Sequence, residues 1–401
     1  MKKDFVFISE SVTEGHPDKL CDQISDAIVD HYLTLDPYAR VRAECAVANS
    51  ILFIAARFAS EARADIATLA RKVISRVGYT KPDFDAHTCS ILTSLQEYPP
   101  EADLYFNEER LKEEELDLIP ARQQATIFGF ACRQTEVLMP LPIWLAHKLA
   151  RRIMAVRREK LIPYLSPDAK TQVGVEYRER RPYRLYGLTL VVSLSREMTG
   201  AIPRPRLEQE IREAVIEPAF AGEEFRPDPR TLIYINPLEN LMVGGPAVHS
   251  GLTGRKNATD TYGEYARHSG NALSGKDPLR IDRIGAYAAR YAAKNVVAAG
   301  LAEECEVQLS YAIGLARPAS VQVETFGTGR LDDERLADLV ERAFDFRPAA
   351  ILKQFRLRHL PAQHHGNFYC RLAAYGQVGR TDLPLPWELT DKAELLQELA
   401  G

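Results

Sequence analysis

Residues 4–33 read DFVFISESVTEGHPDKLCDQISDAIVDHYL, and the change of period inside this stretch decides what kind of fold follows. DFVFISE is a short apolar run of strand type, whereas LCDQISDAIVDHYL repeats Leu20, Ile24, Ala27 and Ile28 at helical spacing. GHPDK lies between them and sets His16, Asp18 and Lys19 in a Gly/Pro turn where a helix begins. Backbone N–H groups at a helix start attract anions, a carboxylate holds a hard cation, and an imidazole stabilises charge on a departing oxygen.

The same alternation continues along the chain. Helical patterns are read in DIATLARKVISRVG, PIWLAHKLARRIMAVRREK, PRLEQEIREAVIEPAF, DRIGAYAARYAAKNVVAAG and DERLADLVERAF. VRAECAVA, ILFIAARFA, YGLTLVVSLS, TLIYINP, EVQLSYAIGLA and SVQVETFG read as strands, rich in β-branched residues. This order predicts an α+β protein, and 401 residues exceed one ordinary core, so several lobes are expected. The acidic, proline-bounded segment PPEADLYFNEERLKEEELDLIP reads as a solvated connection or as a gating loop around Glu113.

Composition excludes several classes. Hydrophobic residues make up 46% and charged residues 26%, as in ordinary globular proteins. No apolar run approaches the roughly 20 residues that span a bilayer, and the first residues carry no apolar stretch with a cleavage site, so no membrane contact and a cytoplasmic location are expected. The net charge of -4 gives no global field for nucleic acid, so any polyanion site must be local. Six cysteines without paired short spacing read as reduced thiols.

Local positive charge is found in two further loops. GGPAVHSGLTGRK ends in Arg255 and Lys256, and HSGNALSGKDPLRID carries Lys276 and Arg280 around Asp277 and Asp282. Glycine permits close backbone approach, and such mixtures of cations and carboxylates suit metal-bound phosphates; read singly, each loop is equally a set of surface ion pairs.

Taken together, SESVTEGHPDKLCDQISDA, FGFACRQTEVLMPLPI, SPDAKTQV, GLTGRK, DTYG, ARHSG, SGKDP, AYAARYAAKNVVAAGL, VQLSYAIG and VETFGT resemble the S-adenosylmethionine synthetase family over nearly the whole chain. The resemblance implies a three-domain α+β fold, divided here into segments 1–103, 118–236 and 237–401 whose structural domains can interleave. It implies transfer of the adenosyl group of ATP to a small-molecule acceptor, nominally methionine, with triphosphate released and then split into pyrophosphate and phosphate. It also implies two magnesium ions per site, potassium, and a homodimer or homotetramer with shared active sites.

By motif position, the resemblance assigns His16 to the leaving-group side of C5′ and magnesium to Asp18 and Asp282. Lys19, Lys170, Arg255, Lys256 and Lys276 fall where phosphate oxygens are held, with Arg280 close by. Glu44 falls at a potassium ligand and Asp168 at a ribose contact; the alternatives read from sequence alone are a strand-end surface acid and a helix-capping aspartate. A nearly tetra-anionic leaving group needs dense, preorganised positive charge, and these positions supply it.

The acceptor wall departs from the family pattern. Arg57 stands where the family has the glutamate that receives the methionine ammonium, Tyr98 where it has a glutamine, Gln123 where it has an aspartate, and His249 where it has another aspartate. Exchanging a carboxylate for Arg57 turns attraction into repulsion for an ammonium, on the order of several kcal/mol in a partly dry pocket. Leu241 and Asn240 replace a base-stacking aromatic residue and its preceding arginine. Two other readings therefore stand beside methionine transfer: a diverged adenosyltransferase or triphosphatase with a different acceptor or nucleotide, and a non-catalytic partner subunit of an active synthetase.

Overall fold

The computed structural model describes residues 3–81, 84–99, 106–238 and 243–401. The period change at GHPDK is realised as a strand, a turn and a helix: β1 covers Phe5–Val12 and α1 covers Pro17–Leu35. His16 caps the helix by accepting the Asp18 N–H, and Pro17 in the first turn loses no helical hydrogen bond.

The further strands are β2 (Arg40–Ala48), β3 (Ile51–Ala59), β4 (Ser90–Glu97), β5 (Ala125–Cys132), β6 (Leu165–Arg178), β7 (Arg181–Leu194), β8 (Leu232–Ile235), β9 (Gly251–Leu252), β10 (Glu304–Tyr311) and β11 (Ser320–Glu324). They form three larger sheets of order β1-β6-β7-β8, β9-β2-β3-β4 and β11-β10-β5. Neighbours are antiparallel except β7/β8 and β3/β4, which are parallel. Each sheet joins strands distant in sequence: residues 5–12 enter the first beside 165–235, and 251–252 enter the second beside 40–97.

Helices cover these sheets. α2 is Ile66–Val77, α3 is Leu141–Arg158, α4 is Ile281–Ala298, α5 is Asp333–Ala343 and α6 is Pro348–Phe355. α3 packs its Leu145, Leu149 and Ile153 on Val173, Val175, Leu188 and Leu190 of the first sheet. α1 and α4 lie in the larger core shared by the other two sheets. The helix expected over 205–220 carries a π-helical turn at Arg212–Ile216. Pro218 has no N–H for the Ala214 carbonyl, which takes the Arg152 Nε–H instead at 2.8 Å.

α1 is buried on its polar face as well as its apolar one. Asp18, Asp22, Asp26 and Asp30 recur every four residues and so share that face. Each carboxylate accepts backbone N–H groups from a different part of the chain: Leu252 for Asp18, Gly254 for Asp22, Gly275 for Asp26, and Tyr369 with Cys370 for Asp30, at 2.8–3.0 Å. The ladder pins the two glycine-rich loops and a C-terminal turn to one rigid helix. It satisfies donors that would otherwise be buried unpaired.

The described part of the acidic segment, from residue 106, is docked. Arg347 pairs with Asp117 and Glu113, Arg358 meets the buried Glu108, and Leu116 packs against Ala349 and Ala350 of α6. All six cysteines are buried free thiols. Among the described residues, no helix is long and apolar enough to cross a membrane.

Candidate active site

Three motif loops meet at the N-terminal end of α1 because two of their glycines leave no room for a side chain. A Cβ on Gly15 would sit 2.3 Å from the Pro167 carbonyl carbon, and one on Gly251 would sit 2.1 Å from the Pro17 carbonyl carbon. Thr13 seals the first contact, donating its hydroxyl to Pro167 O at 2.7 Å and accepting the Ala169 N–H at 2.8 Å. GHPDK, SPDAK and GGPAVHSGLTGRK thus become one surface.

That surface carries His16, Asp18, Asp168, His249 and Arg255. His16 is buried and its Nδ1 accepts the Asp18 N–H at 3.2 Å. Burial lowers its pKa to about 4 against the pull of Asp168 and Asp18, so the imidazole is neutral with its proton on Nε2. Arg255 Nη1 lies 3.9 Å from Asp18 Oδ1. Lys256 pairs with Glu10 at 3.3 Å and lies near enough to disfavour charge on His16.

Asp168 lies within strand β6, so the alternative of a helix cap does not hold. Its Oδ2 accepts the Gly245 N–H at 2.8 Å and meets His249 Nε2 at 2.7 Å. Burial alone would raise its pKa, but the hydrogen bond from His249 and the nearby imidazoles hold it below the ordinary carboxylate value. Among the described residues Oδ1 is buried without a partner, as suits an acceptor waiting for a hydroxyl donor. A cavity of about 780 Å³ opens beside it, lined by Tyr79, Phe84, Tyr164, Pro167, Met198 and Gly244. Asn240 and Leu241 lie outside the described residues.

A second group forms where the SGKD loop reaches α4. Asp282, in the first turn of α4, accepts from Lys276 Nζ at 2.5 Å, from Asn271 Nδ2 at 2.9 Å and from Gln123 Nε2. Burial lowers the Lys276 pKa against the pull of Asp282. Arg280 stands at the N-cap position of α4 without a side-chain cap bond, and among the described residues its Nε is buried without a partner. An isolated bridge joins Lys276 to Arg42, and Arg42 stands directly opposite Arg57 across β2 and β3.

Several positions differ from expectation. Lys19 is fully buried, salt-bridged to Asp22 at 2.9 Å and to Asp260. Burial alone would lower its pKa, but the two carboxylates outweigh it and raise it. Lys19 therefore braces the base of the site and offers no charge to a phosphate. Gln123, expected on the acceptor wall, donates to Asp282 and so joins the group around Lys276. Lys170 is exposed on β6 opposite Val12, and Tyr98 is exposed just beyond β4, its N–H on Phe58 O. Glu44 lies within β2 and is held by Arg42 at 2.6 Å. Sequence reading missed Asp22, Asp26 and Asp30, whose signal was the four-residue spacing from Asp18 on a predicted helix.

Domain models described as the N-terminal, central and C-terminal domains of S-adenosylmethionine synthetase match residues 4–100, 118–241 and 243–389. Proteins named S-adenosylmethionine synthase are similar over their full length. That of Synechococcus sp. (strain JA-3-3Ab) is 51% identical, covering 98% of both chains. That of Trichormus variabilis (strain ATCC 29413 / PCC 7937) is 49% identical, over 99% of this chain and 97% of the relative. The chain belongs to the S-adenosylmethionine synthetase family, whose members are ATP-dependent adenosyltransferases.

Proposed function

We propose that the protein breaks the C5′–O bond of ATP, transfers the adenosyl group, and releases triphosphate that it splits into pyrophosphate and phosphate. The observation that carries this reading is the meeting of His16, Asp18, Asp168 and Arg255 at the end of α1. A neutral imidazole with its proton on Nε2 donates to an oxygen that gains charge as the bond breaks. Arg255, Lys256, Lys276, Arg280 and Lys170 are assigned to the phosphate chain, the free Oδ1 of Asp168 to a ribose hydroxyl, and the adjoining cavity to the base.

Asp18 suits magnesium: it is a buried carboxylate whose Oδ1 takes the Leu252 N–H while Oδ2 faces His16 Nδ1 at 3.7 Å. Asp282 offers the same chemistry once Lys276 turns to a phosphate. Magnesium, when bound there, supplies neutralisation of phosphate charge. At Glu44 the Arg42 guanidinium bonds Oε1 twice, so a potassium ion there would compete with Arg42. A second copy of the chain is assigned to the outer face of the second sheet, where Ile51, Phe53, Leu92 and Leu252 are each 42–55% exposed. A homodimer or homotetramer with shared sites and a cytoplasmic location complete the reading.

The relatives' name points to methionine as acceptor. Arg57, exposed on β3, favours a second reading, an acceptor without an ammonium group, because a guanidinium where the family has a carboxylate repels a cation. Incubation with ATP, magnesium and potassium, with and without methionine, separates these, following adenosyl products by mass spectrometry and phosphate by a colorimetric assay. Phosphate release without a methionine adduct is expected; a robust sulfonium product refutes the altered acceptor, and no turnover at all favours a non-catalytic subunit. His16→Ala is expected to lower phosphate release ~10²-fold or more, and full activity in that variant would remove His16 from the leaving-group role.

A further inference from the structure

We propose that His249, held by Asp168, is the general base for an acceptor that carries its own proton, and that this acceptor is a thiol. The inference rests on the ATP-cleavage reading above and names the chemistry of its second substrate.

The two imidazoles on this surface have opposite polarity. His16 has spent its lone pair, since Nδ1 accepts the Asp18 N–H at 3.2 Å, so its other nitrogen keeps a proton and can only donate. His249 is arranged the other way. Its Nε2 donates to Asp168 Oδ2 at 2.7 Å, and that oxygen is fixed from a second side by the Gly245 N–H at 2.8 Å. The His249 backbone N–H is itself bound to Gly245 O at 3.2 Å, so ring and backbone are both anchored. With the Nε2 proton committed, the lone pair of neutral His249 lies on Nδ1. A carboxylate holding one nitrogen so that the other accepts a proton is the arrangement of a general base.

The rings of His16 and His249 lie 5.0 Å apart. The ring assigned to the leaving oxygen and the ring that can take a proton therefore stand side by side. The resemblance places an aspartate where His249 stands. A thioether has no proton to lose, so a base there would have no task with methionine. A nucleophile bearing a proton gives it one.

A metal is the competing use of this cluster, because His16, Asp168 and His249 each offer an atom within 4.8 Å of the others. Binding one through His16 would cost the helix cap on Nδ1 or the Nε2 proton, which leaves Asp168 Oδ1 and His249 Nδ1 as the two open atoms. Two ligands are a poor metal site, whereas one open imidazole nitrogen held by a carboxylate suffices for a base.

Matching of acidities selects the thiol. A thiol with pKa near 8.5 stands about 2 units above an imidazole near 6.5, whereas an alcohol or water is far beyond reach. In the step, the S–H proton passes to His249 Nδ1, sulfur forms a bond to C5′, and the C5′–O bond breaks with its electron pair leaving on the triphosphate. The product is a neutral adenosyl thioether.

The test compares 3-mercaptopropionate with 3-(methylthio)propionate, which differ only in S–H against S–CH₃, each incubated with the protein, ATP and magnesium. Adenosyl adducts are read by mass spectrometry and phosphate in parallel. An adduct with the thiol and none with the thioether is expected. His249→Ala should lower thiol adduct formation ~10²-fold and regain part of it with added imidazole, a response that a structural role does not give. An adduct with the thioether at an equal rate, or an undiminished thiol adduct in His249→Ala, would overturn the proposal. Phosphate release without a thiol adduct overturns this proposal alone, whereas absence of phosphate release in every mixture removes the ATP reading and this inference with it. Should His249→Ala lose its thermal transition, the thiol–thioether comparison in the unaltered protein decides.

Discussion

Asp26→Ala should come close to unfolding the protein, although Asp26 touches no proposed substrate. Asp26 and Arg283 are fully buried and paired at 2.5 Å, and Asp26 also accepts the Gly275 N–H at 2.8 Å. Arg283 donates its Nε–H to Leu273 O at 2.7 Å and lies 4.3 Å from the centre of the Tyr369 ring, so it cannot swing out to water. Removing the carboxylate leaves an uncompensated buried guanidinium, a loss of about 3–5 kcal/mol. It also orphans the Gly275 N–H, a further ~1–3 kcal/mol. The sum rivals the whole stability of a typical domain, about 5–15 kcal/mol. Urea unfolding at fixed protein concentration measures it, and amide exchange at Gly275 reports whether the SGKD loop opens first. Adding Arg283→Met to Asp26→Ala should recover much of the loss, because the stranded charge is then gone. A cost below ~1 kcal/mol, the worth of a surface ion pair, or no recovery in the double variant, would refute the reasoning.

Burial raises the Asp30 pKa to about 7 against the hydrogen bonds from Cys370 and Tyr369. An acid whose folded pKa is raised favours folding below its unfolded value near 4 and loses that contribution as pH rises to about 7. Asp30→Asn should therefore reduce the loss of thermal stability between pH 4 and 7 by up to about 4 kcal/mol, and identical pH profiles in the two proteins would refute the assignment. Arg42 is predicted to stand in for potassium at Glu44: phosphate release should be the same in potassium as in tetramethylammonium, and Arg42→Ala should acquire a potassium response. Strong potassium activation of the unaltered protein would count against it.

The chemistry-bearing loops were legible because each is short, local and named by its own residues. GHPDK, GGPAVHSGLTGRK and SGKDPLRID could be picked out before any fold was known, and so could the helix that begins at Pro17. Partnership was not legible. Lys19 looks like a phosphate cation in sequence, yet Asp260, 241 residues away, takes its charge. Asp168 looks like a cap when SPDAK is read alone, because nothing local announces that these residues pair with β1. β5 pairs with β10 and β6 with β1, segments more than 150 residues away, and a one-dimensional pattern carries no record of that pairing.

The same partnerships explain why the phosphate side matches the family while the acceptor wall departs from it. His16, Asp18, Lys276 and Asp282 sit on loops tied by buried backbone bonds to the carboxylate ladder of α1 or to the first turn of α4. A change there strands a buried donor or charge and costs several kcal/mol before chemistry is considered. Arg57 and Tyr98 project from the exposed sides of β3 and the end of β4, and His249 is half-exposed at a loop corner. Substitution at such positions costs within about 0.5 kcal/mol when no buried partner is lost. On the proposed reading, the fold ties down the loops assigned to phosphate and leaves the acceptor wall open to revision. His249 fits that pattern: it is a half-exposed loop residue bonded to the buried carboxylate of Asp168.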